Sequence, residues 1–168
     1  MHVRILKGFH YSTFLPKIYR FCSENKKSIQ VKFDKSCAYK ISEKSCVNKL
    51  WGFSIGLFGV HKNSYRFGWT YENDKIVIWV YSYINGKLQK EKLTECEFDK
   101  KYQCSISITN KVIFNFNGVT KEKELSSTKK FLLELGFYFG GKTRAPKNMK
   151  IWFKRINNLH FFKKNKLK

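Results

Sequence analysis

His61, Tyr65 and Arg66 fall close together in the run His61-Lys62-Asn63-Ser64-Tyr65-Arg66, and they are residue types that can move protons and hold an anion. A histidine or tyrosine serves as a base and an arginine neutralises a uronate carboxylate, so the trio could imitate an eliminating, lyase-type centre. Such a centre would also want a glutamine beside the arginine. None is near, and two of the three residues fall in a loop. Cleavage by paired carboxylates is the other chemistry open to a sugar-cutting protein: one carboxyl protonates the leaving oxygen while its partner attacks or activates water. No strand here projects such a pair. Glu72 and Asp74 lie at a hairpin, Glu95, Glu97 and Asp99 in a loop, and Glu122 and Glu124 on an edge. The expectation is a protein that is not an enzyme, with no catalytic residue.

Metal chemistry fares no better. Cys22, Cys37, Cys46, Cys96 and Cys104 make an odd count, none form a CxxC pair, and the four histidines do not cluster near them. Neither a zinc site nor a disulfide framework follows. Too few acids are available to cluster as oxygen ligands for calcium. No metal and no cofactor is expected, and Cys37 and Cys104 are most simply small buried hydrophobes.

The elements that would position any site are legible between Tyr65 and Leu125. Tyr65–Tyr71 and Ile76–Ile84 are rich in β-branched and aromatic residues, and Ile76–Ile84 is joined to Lys87–Leu93 by Asn85-Gly86. Ser105–Thr109, Val112–Phe116 and Val119–Leu125 repeat the pattern around Asn117-Gly118. Asn-Gly supplies the positive φ values of a two-residue hairpin turn. Short, evenly spaced strands of this kind predict an all-β fold, an antiparallel β-sandwich with under about 15% helix. Gly140-Gly141 followed by Ala145-Pro146 reads as a tight corner before a last strand, Met149–Ile156. Along 76–84, period two places Ile76, Ile78, Val80, Ser82 and Ile84 toward a core and Val77, Trp79, Tyr81 and Tyr83 on the other face.

The net charge of +22, from 34 Lys and Arg against 12 Asp and Glu, should draw the protein to polyanions. Only five of those cations are arginines, and the abundance of Lys, Asn, Phe, Tyr and Ile together also fits an A/T-rich genome. Residues 144–168 hold nine basic residues and no acid. Lys154, Arg155, Lys163, Lys164, Lys166 and Lys168 are therefore candidates for docking on a polyanion or an acidic partner. Residues 1–27 read as a basic, aromatic docking segment, from which Val3–Phe9 could lay a strand onto the sandwich; 28–157 form the sandwich and 158–168 a basic tail. No apolar run approaches the roughly 18 residues of a membrane span, and the N-terminus lacks a signal-like apolar core. A protein made in the cytoplasm without a signal peptide is expected.

Three motifs occur in order: Lys49-Leu50-Trp51-Gly52-Phe53-Ser54, then His61-Lys62-Asn63-Ser64-Tyr65-Arg66-Phe67-Gly68-Trp69, then Tyr138-Phe139-Gly140-Gly141 running to Ala145-Pro146 and Met149-Lys150-Ile151. Together they resemble concanavalin-A-like (lectin/glucanase-type) jelly-roll proteins encoded by Bacteroidetes bacteria and their tailed phages, over about residues 30–155. The resemblance implies a jelly roll and a virion setting, and it carries no catalytic residue. On its terms carbohydrate lies across the aromatic face, which makes Trp79, Tyr81 and Tyr83, with His61, Arg66, Tyr138 and Arg144, candidate ligand-binding residues. Whether that face is open or covered by a further layer is not legible. Three functions remain in view: a structural or accessory subunit of a phage virion docking on acidic protein or nucleic acid, a lectin-like module for acidic glycans, and a Lys-rich nucleic-acid-binding protein.

Overall fold

The computed structural model describes residues 1–21, 25–40, 46–126 and 128–156. They form twelve strands: β1 His2–Ile5, β2 Ile18–Arg20, β3 Asn25–Phe33, β4 Asn48–Ile55, β5 Ser64–Glu72, β6 Lys75–Ile84, β7 Lys87–Cys96, β8 Tyr102–Ile108, β9 Lys111–Phe116, β10 Val119–Glu124, β11 Phe131–Leu135 and β12 Met149–Ile156. Among the described residues the one helical element is a 3₁₀ turn at Lys35–Cys37. The strands build two six-stranded sheets, ordered β1-β12-β3-β8-β9-β10 and β2-β11-β4-β5-β6-β7. All neighbouring strands are antiparallel. The β-sandwich expected from the period-two strands is therefore present, and its two meanders, β5–β7 and β8–β10, are the segments that alternate most clearly in sequence.

Turn chemistry fixes those meanders. Asn85 and Gly86 take φ of 50° and 80°, Asn117 and Gly118 take 49° and 95°, and Asn73 and Asp74 make the third two-residue turn at 48° and 60°. Two consecutive positive φ values define the type I′ turn, whose twist matches that of the strands it joins. The corner before β12 also needs its glycine: Gly140 has φ of 67°, and a Cβ there would sit 2.2 Å from the Thr143 carbonyl oxygen.

Alternation places Tyr65, Phe67 and Trp69 of β5 and Ile76, Ile78, Val80 and Ile84 of β6 in the interior, against Ile29, Val31 and Phe33 of β3, Phe114 and Phe116 of β9 and Phe153 of β12. Rings meet across the sheets, Phe33 with Trp69 at 5.4 Å and Phe67 with Phe114 at 5.2 Å. Burying side chains of this size, at about 2–3 kcal/mol each, is what holds the two layers together.

Residues 1–21 are woven into both layers, because β1 pairs with β12 and β2 pairs with β11. The N-terminal segment drawn from the sequence as a docking extension ending at residue 27 is thus sheet-forming, and β3 crosses that boundary. The basic tail at 158–168, with Lys163, Lys164, Lys166 and Lys168, lies outside the described residues.

Candidate functional site

The outward face of the second sheet collects the residues of interest. Because Tyr65, Phe67 and Trp69 point inward, Arg66 between them points outward. On β6 the same alternation turns Trp79, Tyr81 and Tyr83 out beside it, with Arg66 opposite Tyr81 in register. Lys90 and Lys92 of β7 stand opposite Tyr81 and Trp79 on the other side. From the chain after β11, Tyr138 bridges to Lys49 of β4 through paired backbone hydrogen bonds of 2.8 and 3.0 Å, and it also bridges to Tyr11. A cleft of about 400 Å³ results, lined by Tyr11, His61, Arg66, Gly136 and Tyr138 among others.

Arg66 is the cation at the cleft floor. Its Nη2 donates to the Gly136 carbonyl oxygen at 2.8 Å, while its buried Nε has no partner among the described residues. Burial pulls its pKa down to about 10, partly offset by the phenols of Tyr81, Tyr138 and Tyr83, which leaves it charged at neutral pH. An unmatched buried N–H of this kind is costly. Lys49 is the second cation: Nζ donates to the carbonyls of Val47 (2.8 Å) and Gly140 (3.3 Å) and lies over the rings of Tyr81 (4.6 Å) and Tyr138 (5.8 Å). Burial, and then the neighbouring charge of Arg66, lowers its pKa to about 8.

The phenols respond in the opposite direction. Burial and a hydrogen bond with Tyr83 push the Tyr81 phenol well above its ordinary value. Tyr138 is also raised, by burial and by Tyr11, with Arg66 working against both. These hydroxyls stay protonated at neutral pH and can donate. His61 is exposed and meets the Tyr83 ring edge-on at 4.9 Å.

Of the seven ligand-binding candidates, His61, Arg66 and Tyr138 line the cleft, while Tyr81, opposite Arg66 in register, and Tyr83 stand on the same sheet face beside it. Trp79 shares the face at the far end, where its Nε1 donates to Thr70 Oγ1 at 2.8 Å. Arg144 is exposed on the loop before β12 and is not among the residues lining the cleft. Tyr65 points into the core, with its hydroxyl donating to the Glu124 carbonyl oxygen at 2.8 Å, so the sequence trio of His61, Tyr65 and Arg66 is not one cluster. Trp51 and Trp69 are fully buried core fillers. Among the described residues no further sheet covers the aromatic face.

Of the residues expected to dock on polyanions, Lys154 is exposed, and Arg155 is not available. Arg155 turns between the sheets and grips Glu134 of β11 through Nε (3.1 and 3.2 Å) and Nη2 (2.8 Å). Glu134, 1% exposed, also accepts from Trp51 Nε1 at 2.8 Å and from the Lys17 amide at 3.1 Å, while Arg155 donates to the Leu15 carbonyl at 2.7 Å. This network ties the strand under the cleft to the N-terminal segment that walls it. Lys49 and Glu134 escaped the sequence reading. Their signal is a lone charge inside an apolar strand, in Asn48-Lys49-Leu50-Trp51 and Phe131-Leu132-Leu133-Glu134-Leu135.

An antiparallel jelly-roll sandwich with a cationic, aromatic cleft on one face is the class that fold and site define. No protein-family model matches the chain, and no curated protein matches it in sequence. Solved structures do match in fold. Alginate lyase vAL-1 from a Chlorella virus superimposes with a TM-score of 0.63 at 12% identity, covering 92% of this chain and 81% of its own. An alginate lyase of Pseudomonas aeruginosa gives 0.57 at 9% identity over 82% and 67%. Alginate lyase AlyC3 gives 0.53 at 15% identity over 92% and 70%. These neighbours support the jelly roll and say nothing for a Bacteroidetes or phage origin.

They also correct two expectations. That the chain is no enzyme rested on the missing carboxylate pair, yet these three solved proteins of the same fold are alginate lyases, and elimination needs no such pair. The reading as a non-enzymatic virion subunit falls with it, and the acidic-glycan alternative is the one the neighbours favour.

Proposed function

We propose that the chain is a carbohydrate-active protein that binds a uronate-rich polysaccharide in the cleft over Arg66 and cleaves it by β-elimination. The observation that carries this is the half-buried Arg66, whose Nε has no partner among the described residues, beside Tyr138 in a cleft whose one lining carboxylate, Glu134, is already held by Arg155. A uronate carboxylate accepting from Arg66 loses its repulsion toward a developing carbanion at C5, which acidifies the C5 proton. His61 is the base for that proton. The electron pair forms the C4–C5 double bond, the C4–O4 bond breaks, and Tyr138 gives its phenolic proton to the departing oxygen. Alginate, the substrate named for the fold neighbours, is the first polymer to try.

The test is incubation with alginate and with other uronate polymers, followed by ultraviolet absorbance of unsaturated ends and by reducing-end titration. Turnover is expected, with a loss of about 10²-fold or more in Tyr138→Phe or His61→Ala, the usual weight of one acid–base group. A second reading, binding without turnover, is favoured by the absence of any side-chain amide among the cleft-lining residues. Tight binding weakened by Arg66→Ala, with no unsaturated product from any polymer, would decide for it.

A further inference from the structure

The cleft uses only a small part of the positive charge, and the opposite side of the molecule carries another concentration of it. On the outward face of the first sheet, β12 presents Lys150, Trp152 and Lys154 at alternate positions, since Met149, Ile151 and Phe153 point inward. In register, Trp152 lies between His2 of β1 and Lys32 of β3, Lys150 lies beside Arg4, and Lys154 lies beside Gln30, which in turn pairs with Gln103. Lys101 sets its ammonium 5.1 Å from the centre of the Trp152 ring. The nearby acids are Asp34, which caps the 3₁₀ turn through Ser36, and Asp99, 3.9 Å from Lys32. Among the described residues no carboxylate lies within ion-pairing distance of Arg4, Lys101, Lys150 or Lys154. The crowding shows at His2, whose imidazolium is disfavoured first by partial desolvation and then by Lys150, the Met1 ammonium, Lys32 and Arg4.

We infer that this face is a second binding site for an anionic polysaccharide, with Trp152 as the platform for a sugar ring and Arg4, Lys150, Lys154 and Lys101 as the carboxylate partners. Alternate residues on β12 stand about 7 Å apart and neighbouring strands about 5 Å apart, so the cations flank the indole within reach of successive acidic sugars. Polysaccharide is preferred to nucleic acid on two counts. The surroundings of Trp152 include the amides of Gln30 and Gln103, which suit sugar hydroxyls, and a single arginine, where phosphate recognition favours bidentate guanidinium groups. The choice of ligand class rests on the cleft reading above; the existence of the site does not. A long chain engaging both faces gains by effective concentration, whereas a short oligosaccharide gains nothing.

The experiment compares the intact chain, a Lys150→Ser/Trp152→Ala/Lys154→Ser variant and a cleft variant, Arg66→Ala, for binding to immobilised alginate and for turnover of long polymer and of short oligosaccharides. Circular dichroism first checks that each remains folded. The triple variant is expected to lose about tenfold or more in affinity for long polymer while cleaving or binding short oligosaccharides as the intact chain does. Arg66→Ala should retain residual, salt-sensitive polymer binding through the second face. Unchanged polymer binding in the triple variant overturns the inference, as does a DNA duplex that displaces the chain at lower charge concentration than polyuronate. If no polymer is cleaved at all, the binding comparison still decides the second site, so its failure is distinct from failure of the lyase reading.

Discussion

Removing Arg155 alone should be far more damaging than removing Arg155 and Glu134 together. Glu134 is 1% exposed and its carboxylate takes three N–H···O contacts from Arg155, one from Trp51 and one from the Lys17 amide. Arg155→Met leaves a buried charge with only the indole and one amide to satisfy it, a loss that costs about 3–5 kcal/mol when the pair is fully buried. The Arg155 side chain is 21% exposed, so water can reach part of the vacated space and the lower end, about 3 kcal/mol, is expected. For a domain of this size each kcal/mol lowers Tm by roughly 2–4 °C, which gives a drop of about 6–12 °C. Glu134→Gln/Arg155→Met removes both charges, and the amide can still accept from Trp51, so the double variant should recover about half of the loss. Urea titrations with matched m-values, alongside thermal melts, measure this. A cost below about 1 kcal/mol for Arg155→Met, or strict additivity in the double variant, would refute the assignment of this pair as a buried, charge-dependent anchor of the cleft wall.

Lys49 predicts a pH dependence. Its folded pKa is lowered to about 8 from 10.5, so the unfolded chain binds the extra proton between those values and this residue's contribution to stability rises with pH across that window. Over the same range affinity for uronate oligosaccharides should fall as the cation is lost, and Lys49→Met should flatten both trends; a decline in binding that persists unchanged in that variant would count against it. Gly86→Val and Gly118→Val each force a β-branched residue to φ of 80° or 95° with nothing within 4 Å of the new Cβ, so the cost, roughly 2 kcal/mol, is one of backbone strain alone. Gly86→Asn should cost clearly less, and equal melting temperatures for the Asn and Val variants would contradict that account.

The parts of the molecule that were legible in the sequence are those governed by neighbours in the chain. Period two along Ile76–Ile84 does turn Trp79, Tyr81 and Tyr83 to the face away from the core, although Val77 and Tyr81 are buried there. Asn-Gly dictates its own turn. What could not be read is what depends on distant pairing. Tyr138 meets Lys49 and Tyr11 only because the chain returns between β2 and β4 through β11, a register no local pattern encodes. Arg155 looked like one more member of a basic tail, because its partner Glu134 lies in the opposite sheet. Lys49 was masked by the general abundance of lysine, its one mark being a lone charge in the otherwise apolar run that begins β4. The expectation of no catalysis rested on the missing carboxylate pair, and the eliminating trio of His61, Tyr65 and Arg66 was set aside for want of a glutamine; the phenol that does line the cleft with His61 and Arg66 is Tyr138, which no local pattern places there.

The bridges made by Tyr138 also bear on how the protein reaches its working state. Arg66, Tyr81 and Tyr83 belong to the β5–β7 meander, whose contacts are local and whose hairpins close early in folding. Lys49 sits opposite Gly68 in the neighbouring β4–β5 pair, but Tyr138 joins them only when the chain around β11 pairs with β4 across some eighty residues, at greater entropic cost. An incompletely folded molecule would therefore display Tyr81, Tyr83 and the Arg66 charge without Tyr138 beside them. Ligand that binds only the finished cleft stabilises the native state alone, so anionic oligosaccharide should raise stability and slow unfolding while leaving the folding rate unchanged.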